Sequence, residues 1–393
     1  MGYPGLQNVD VHKHWTPAFY FLFYAAGASL SPFLVIFYQS KGLEPGDMGL
    51  LGAIPPVMML LGAPLWSSIA DAFDSHRTLF GIATCGAIVA VGVLSRMIVL
   101  QWIALSVAAY AFFASPVMPL VDSATLIMLG DRRDTYGHIR LWGALGWGIA
   151  APLVGALVQQ SGLMWPFAGY IAFMIVGLFV GMKLPLSRVR IPSTFRHGVH
   201  SILTSGRWRL FLFIVFVCGV GLSAVSVFLF LYMKQLGASE TVMGLALTSA
   251  TVSELPFFFF TDRLLRRWSA RGLLLFGMTA YVLRAILYSF VTAPWQVLLI
   301  QLLHGPTFSA IWVAGVSYAN EIAPQGLSTT AQGIFNATFM GLGSAVGALF
   351  AGVLYQYLGV NWMFRIMGLT VAVATLLLII AGRWHGQKSR LAR

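Results

Sequence analysis

The chain has 393 residues, 58% of them hydrophobic and 9% charged, with a mean hydropathy of +0.81. A soluble domain is roughly 25% charged, so the composition excludes an ordinary soluble fold and specifies a polytopic membrane protein. The net charge of +12 is no nucleic-acid signature, because the basic residues fall in short gaps between apolar runs rather than in one patch.

A transmembrane helix needs about 20 mostly apolar residues. Twelve such stretches are expected, at roughly 15–40, 48–70, 78–96, 101–129, 139–160, 165–184, 208–234, 240–261, 272–291, 295–321, 328–357 and 361–382. The first runs from Trp15 to about Tyr38, too long for the apolar core of a signal peptide. Cys85 and Cys218 lie in separate apolar segments and read as small buried hydrophobes, without a disulfide framework.

Charge in the gaps sets orientation. With the N-terminus inside, the inner segments hold Lys13, Arg77, Arg132, Arg133, Lys183, Arg188, Arg190, Arg196, Arg207, Arg209, Arg263, Arg266, Arg267 and Arg271, together with Arg383, Lys388, Arg390 and Arg393 of the basic tail. The outer segments hold only Lys41, Arg96, Lys234 and Arg365. Both termini are therefore expected on the cytoplasmic side of the cell (inner) membrane. The polar stretch from Lys183 to Arg209 carries six basic residues and no acid. It divides the chain into an N-terminal six-helix bundle (1–184), a basic cytoplasmic linker (185–207) and a C-terminal six-helix bundle (208–393).

An internal repeat supports this division. Gly42 to Leu50 follows the first span, Gly237 to Leu245 follows the seventh, and both read G-x5-M-G-L. Asp71 closes the second span and Asp262 the eighth, each leading into a basic loop with Arg77, or with Arg263 and Arg266. Two equivalent halves in the same order form a parallel repeat, for which a solute site near mid-membrane is expected. The six-plus-six spans, basic linker and acid-base loops resemble the major facilitator superfamily. That resemblance implies an all-α membrane fold of two pseudo-symmetric six-helix bundles and a gating role for the two loops.

Five titratable side chains sit inside apolar spans: Asp122, Arg140, Glu254, Arg284 and His304. An unpaired charge there costs several kcal/mol on the order of, so these groups must pair or line a watery cavity. Asp122 and Arg140 lie on consecutive antiparallel spans at similar depth. They form either a salt bridge between helices or a polar clamp for solute. Glu254, Arg284 and His304 lie on the eighth, ninth and tenth spans, with the histidine as the mid-range titrating member.

These segments resemble the phenylpropionate permease family and, more distantly, the lactose permease family. Both have an acid on span four, an arginine on span five, and a glutamate, an arginine and a histidine on spans eight to ten. The resemblance implies solute binding at Asp122 and Arg140, with Trp147 stacking on a ring, and proton coupling at Glu254, Arg284 and His304. The lactose permease family carries a further glutamate one turn after the histidine. Thr307 occupies that position here and cannot hold a proton, which leaves Glu254, His304 or Asp122, with Glu254 favoured. The implied solute is an aromatic carboxylate, its anion falling to Arg140 or Arg284, or else a sugar or nucleoside.

Pro116, Pro119, Pro256 and Pro306 lie close to these charges and should kink their helices. No phosphate-binding loop, zinc-protease motif or nucleophile elbow occurs, so no enzyme, cofactor or ATP-driven pump is expected. His12 and His14 near the N-terminus are not expected to hold a metal. The reading is a monomeric proton symporter that imports a small organic solute by alternating access. An antiporter exporting drugs or metabolites would want an acid on the first span, which has none. A receptor would want a soluble domain.

Overall fold

The computed structural model describes residues 14–73, 75–130, 136–186, 202 and 204–391. Among the described residues twelve long helices carry the fold and no strand occurs. They are α1 (Trp15–Ser40), α2 (Pro45–Phe73), α3 (His76–Leu94), α4 (Leu100–Leu129), α5 (Tyr136–Ser161) and α6 (Trp165–Gly181). There follow α7 (Gly206–Gln235), α8 (Glu240–Phe259), α9 (Thr261–Tyr288), α10 (Pro294–Ile322), α11 (Ser328–Leu358) and α12 (Val360–Leu391). Eleven contain stretches long and apolar enough to cross a membrane. The remaining one, α6, has 17 residues, and just beyond it Lys183 lays its ammonium 3.9 Å from the centre of the Trp15 ring. A lysine just past a short span can keep its charge in water while its ammonium stacks on an aromatic ring.

Two compact units result. Unit 1 comprises residues 1–43, 54–190 and 238–251, and unit 2 comprises 44–53, 191–237 and 252–393. Inside unit 1, α1 packs on α5 and α6, α3 on α4 and α6, and α4 on α5. Inside unit 2, α7 packs on α11 and α12, α9 on α10 and α12, and α10 on α11. Every pairing of the first set recurs six helices later, which is the structural form of the repeat.

The repeated M-G-L element has a steric reason in each unit. A Cβ on Gly49 would sit 2.6 Å from the Ala348 carbonyl oxygen and 2.9 Å from Gly352 Cα. One on Gly244 would sit 2.5 Å from both the Ala151 oxygen and Pro152 Cα. Only glycine allows backbones so close.

Three expectations change. The ninth helix starts at Thr261, not near 272, and Ser269 at φ 59° and ψ 165° divides it. Residues Thr261 to Trp268 form a short amphipathic helix there: Leu264 and Leu265 are half-buried, while Arg263, Arg266 and Arg267 are exposed. Hydropathy alone misses it because the arginines mask the leucines. Cys85 is exposed, whereas Cys218 is buried in the unit 2 core. The second helix begins at Pro45, with Asp47 accepting from the Glu44 N–H at 3.3 Å.

Candidate functional site

In unit 1, α4 breaks at Ser115 and Pro116. Proline cannot donate to the helix ladder, and the Phe112 carbonyl takes donors from elsewhere: the Trp66 indole N–H at 3.0 Å and the Ser115 hydroxyl at 2.8 Å. The second half of α4, Val117–Leu129, carries Asp122. Its carboxylate Oδ1 accepts from the hydroxyl of fully buried Tyr20 on α1 and from that of Tyr136 on α5, the latter at 2.9 Å.

Arg140 lies one turn beyond Tyr136 and reaches the Tyr136 oxygen at 3.4 Å and the Tyr24 oxygen at 3.5 Å. Among the described residues Asp122 and Arg140 therefore make no direct ion pair; Tyr136 stands between them. Trp147, also on α5, is half-buried against the small residues Ala25, Ala28, Ala150 and Ala151. Its ring edge would lie 3.2 Å from a Cβ on Gly27.

In unit 2, α10 is interrupted by a π-turn, Gly305–Ser309, immediately after His304. Such single turns recur at functional sites because they re-aim side chains. Gly305 lets α10 touch α8: its N–H donates to Ser253 Oγ at 2.9 Å, and a Cβ there would lie 2.6 Å from the Ser253 carbonyl carbon. That contact brings His304 to Glu254, whose Oε1 stands 2.8 Å from the histidine Nε2.

Arg284 is fully buried. Its Nη1 donates to His304 Nδ1 at 3.0 Å and to Thr307 Oγ1 at 3.0 Å. Its Nη2 donates to Tyr288 Oη at 3.3 Å and to Gln301 Oε1. Arginine cannot accept, so His304 Nδ1 must, and the ring proton sits on Nε2 facing Glu254. The order is guanidinium, neutral imidazole, carboxylate.

The two units thus use one plan. Each separates an arginine from an acid by a single ring, Tyr136 in unit 1 and His304 in unit 2. A phenol does not titrate near neutrality, but an imidazole does. Sequence reasoning found the five charges and missed the bridging groups Tyr20, Tyr24, Tyr136, Tyr288 and Gln301. Tyr136, four residues before Arg140, and Tyr288, four after Arg284, were legible as helix-face neighbours.

The loop residues are less informative. Arg77 is exposed and its Nη2 lies 3.4 Å from the Leu184 carbonyl. Arg263 stacks 5.5 Å over Phe260, and Arg266 is exposed. The side chains of Asp71 and Asp262 fall outside the described residues, as do His12 and most of the 185–207 linker. No cluster of metal-ligating side chains occurs among the described residues.

Removing one donor from Asp122 tests the unit 1 arrangement. A hydrogen bond to a charged group contributes about 1.5–3 kcal/mol. Tyr20→Phe is therefore expected to lower the apparent Tm by several degrees, read by thermal unfolding in detergent, whereas Tyr24→Phe is expected to leave it nearly unchanged.

Long apolar helices carrying two arginine-ring-acid chains, with Arg284 of the second fully buried, suit a membrane carrier for small solutes. The MFS_1 like family profile matches residues 14–366; the chain belongs to this family and is a secondary transporter of the major facilitator superfamily. It is 26% identical over 374 residues to the maltose permease of Geobacillus stearothermophilus, covering 93% of this chain and 94% of that one. It is 28% identical over 364 residues to the probable 3-phenylpropionic acid transporter of Escherichia coli (strain K12), covering 90% and 95% respectively. The fold matches the crystal structure of the nucleoside transporter NupG with a TM-score of 0.82 at 16% identity, over 95% of this chain and 99% of that one. A bacterial homologue of the human lysosomal transporter Spinster matches with a TM-score of 0.70 at 14% identity, over 97% and 98%.

Proposed function

We propose that this transporter is a proton symporter that imports a small organic solute by alternating access, acting as a monomer in the cell inner membrane with both termini cytoplasmic. The observation that carries the reading is the Arg284–His304–Glu254 chain. It runs from a fully buried guanidinium through a partly buried imidazole to a partly buried carboxylate, and ionisable groups inside a membrane span are costly and mark functional sites by default. Glu254 holds the coupling proton. Protonating His304 at Nδ1 would set an N–H against the Arg284 N–H, so the carboxylate is the less disruptive resting place.

Asp122, Arg140 and Trp147 serve the solute. Their bridge, Tyr136, keeps its proton through the physiological range, which suits a binding group rather than a carrier. The similar proteins are named for maltose, 3-phenylpropionic acid and nucleosides, all ring-bearing, and a half-buried indole suits a ring. The loop residues Asp71, Arg77, Asp262, Arg263 and Arg266 act in gating, and the basic stretch 185–207 links residues 1–184 to 208–393.

The test is proton flux in proteoliposomes without an imposed gradient. Addition of a transported solute is expected to make the outer medium alkaline, as protons enter with it. A confirmed solute that crosses with no proton movement overturns the symport reading.

A further inference from the structure

Ser269 is the one non-glycine residue with a positive φ among the described residues. A residue with a Cβ keeps that conformation only where its surroundings over-determine it. Here they do. The Ser269 hydroxyl accepts from the Gly272 N–H at 3.3 Å and so caps the long part of α9. The chain is tied down on either side of the break. The Trp268 ring lies 4.8 Å from that of Phe276, Phe276 stacks on Phe257 of α8, and Arg271 donates to the Leu378 carbonyl at 2.6 Å. At the other end the Thr261 hydroxyl lies 3.0 Å from both the Phe257 and Phe258 carbonyl oxygens. Residues Thr261 to Trp268 are therefore held in place as a separate two-turn helix, not as a frayed start of α9.

The two faces of this helix are chemically opposite. Arg263, Arg266 and Arg267 stand at i, i+3 and i+4, share one side and are all exposed. Leu264 and Leu265 pack against the core of unit 2. No carboxylate among the described residues pairs with the three arginines. The 20 residues of α8 span about 30 Å at a rise of about 1.5 Å each, which is the thickness of the hydrocarbon layer. The arginines thus follow directly on the edge of that layer. At this edge Phe259 is 78% and Phe260 41% exposed, and Trp268 is exposed beside them. Aromatic rings at the boundary with guanidinium groups just beyond it match the layering of a lipid surface. An acidic soluble protein or a nucleic acid would meet the arginines and leave the phenylalanines in water. The equivalent stretch of unit 1 has one arginine, Arg77, with the acids Asp71 and Asp74, so the basic face is a feature of unit 2.

We infer that the Thr261–Trp268 helix is a docking surface for anionic phospholipid. Arg263, Arg266 and Arg267 meet the phosphate groups, for which a guanidinium fork is well matched, and Phe259, Phe260 and Trp268 lie among the upper acyl chains. The inference needs only that α8 and α9 cross a membrane, and it stands whether or not the symport reading does.

The test is quenching of tryptophan fluorescence by brominated acyl chains. The purified full-length protein is held in nanodiscs of phosphatidylcholine with a minor share of phosphatidylglycerol, the bromine on one lipid or the other. The Trp268 signal is the difference between wild type and Trp268→Phe. Brominated phosphatidylglycerol is expected to quench it well beyond its share of the lipid. Each arginine near an anionic surface contributes about fivefold to affinity. The triple variant Arg263→Gln/Arg266→Gln/Arg267→Gln should therefore lower the preference for phosphatidylglycerol at least about tenfold. Raising salt screens the same contacts in the unaltered protein and should shrink the preference in parallel, so the test does not depend on that variant folding. Lys41→Gln/Arg96→Gln/Lys234→Gln removes the same charge elsewhere and should leave the preference intact. Quenching by the two lipids in proportion to their shares overturns the docking surface. So does a preference that survives the loss of the three arginines, one indifferent to salt, or one lost equally in the control variant.

Discussion

Arg284→Met is expected to be the most destabilising substitution at an intramembrane charge, by about 3–5 kcal/mol, the usual cost of removing one partner from a buried charge group. Methionine approximates the arginine stem, so the loss is that of the guanidinium: its charge, its donors and the space it filled. Four acceptors lose their donor at once, on His304, Thr307, Tyr288 and Gln301. The larger part is the uncompensated carboxylate of Glu254, whose balance runs through the imidazole. The double variant Arg284→Met/Glu254→Gln removes both charges and should recover a substantial part of the lost stability, read as apparent Tm in detergent. If the double variant is no more stable than Arg284→Met alone, the two charges are not coupled and the three-member chain is only three neighbours.

The extent of the fold was legible because its cause is simple. A helix that crosses about 30 Å of hydrocarbon must be long and apolar, and that requirement is written locally in each segment. The repeat was legible for a similar reason, since Gly49 and Gly244 answer one steric demand at equivalent places in the sequence. The short helix ahead of Ser269 was not, because its leucines alternate with arginines and no glycine marks the left-handed turn.

At the candidate sites the charges could be read and their partners could not. A charge in an apolar run is conspicuous on its own. Tyr20 is 102 positions from Asp122 and is one aromatic among many on α1, so nothing local distinguishes it. Gln301, three residues before His304 on the same helix, was in view, but its bond to Arg284 depends on how α9 packs against α10. The sequence also left open a direct Asp122–Arg140 salt bridge. What replaces it is Tyr136, whose hydroxyl donates to one and accepts from the other.

The coupling claim rests on Glu254. Glu254→Gln keeps an oxygen that accepts the His304 Nε2–H, so the geometry of the chain survives while its proton-binding carboxylate is gone. The effect should appear only where energy is spent. Downhill entry and exchange need the solute path alone, whereas concentration against a gradient needs the proton.

The most direct measurement is therefore uptake of a transported solute in energised vesicles by wild type and Glu254→Gln, set beside solute exchange at equilibrium. The account predicts that the variant exchanges labelled solute but equilibrates it without concentrating it, while wild type concentrates it. A Glu254→Gln protein that accumulates solute as wild type does contradicts the account and removes the coupling proton from this carboxylate.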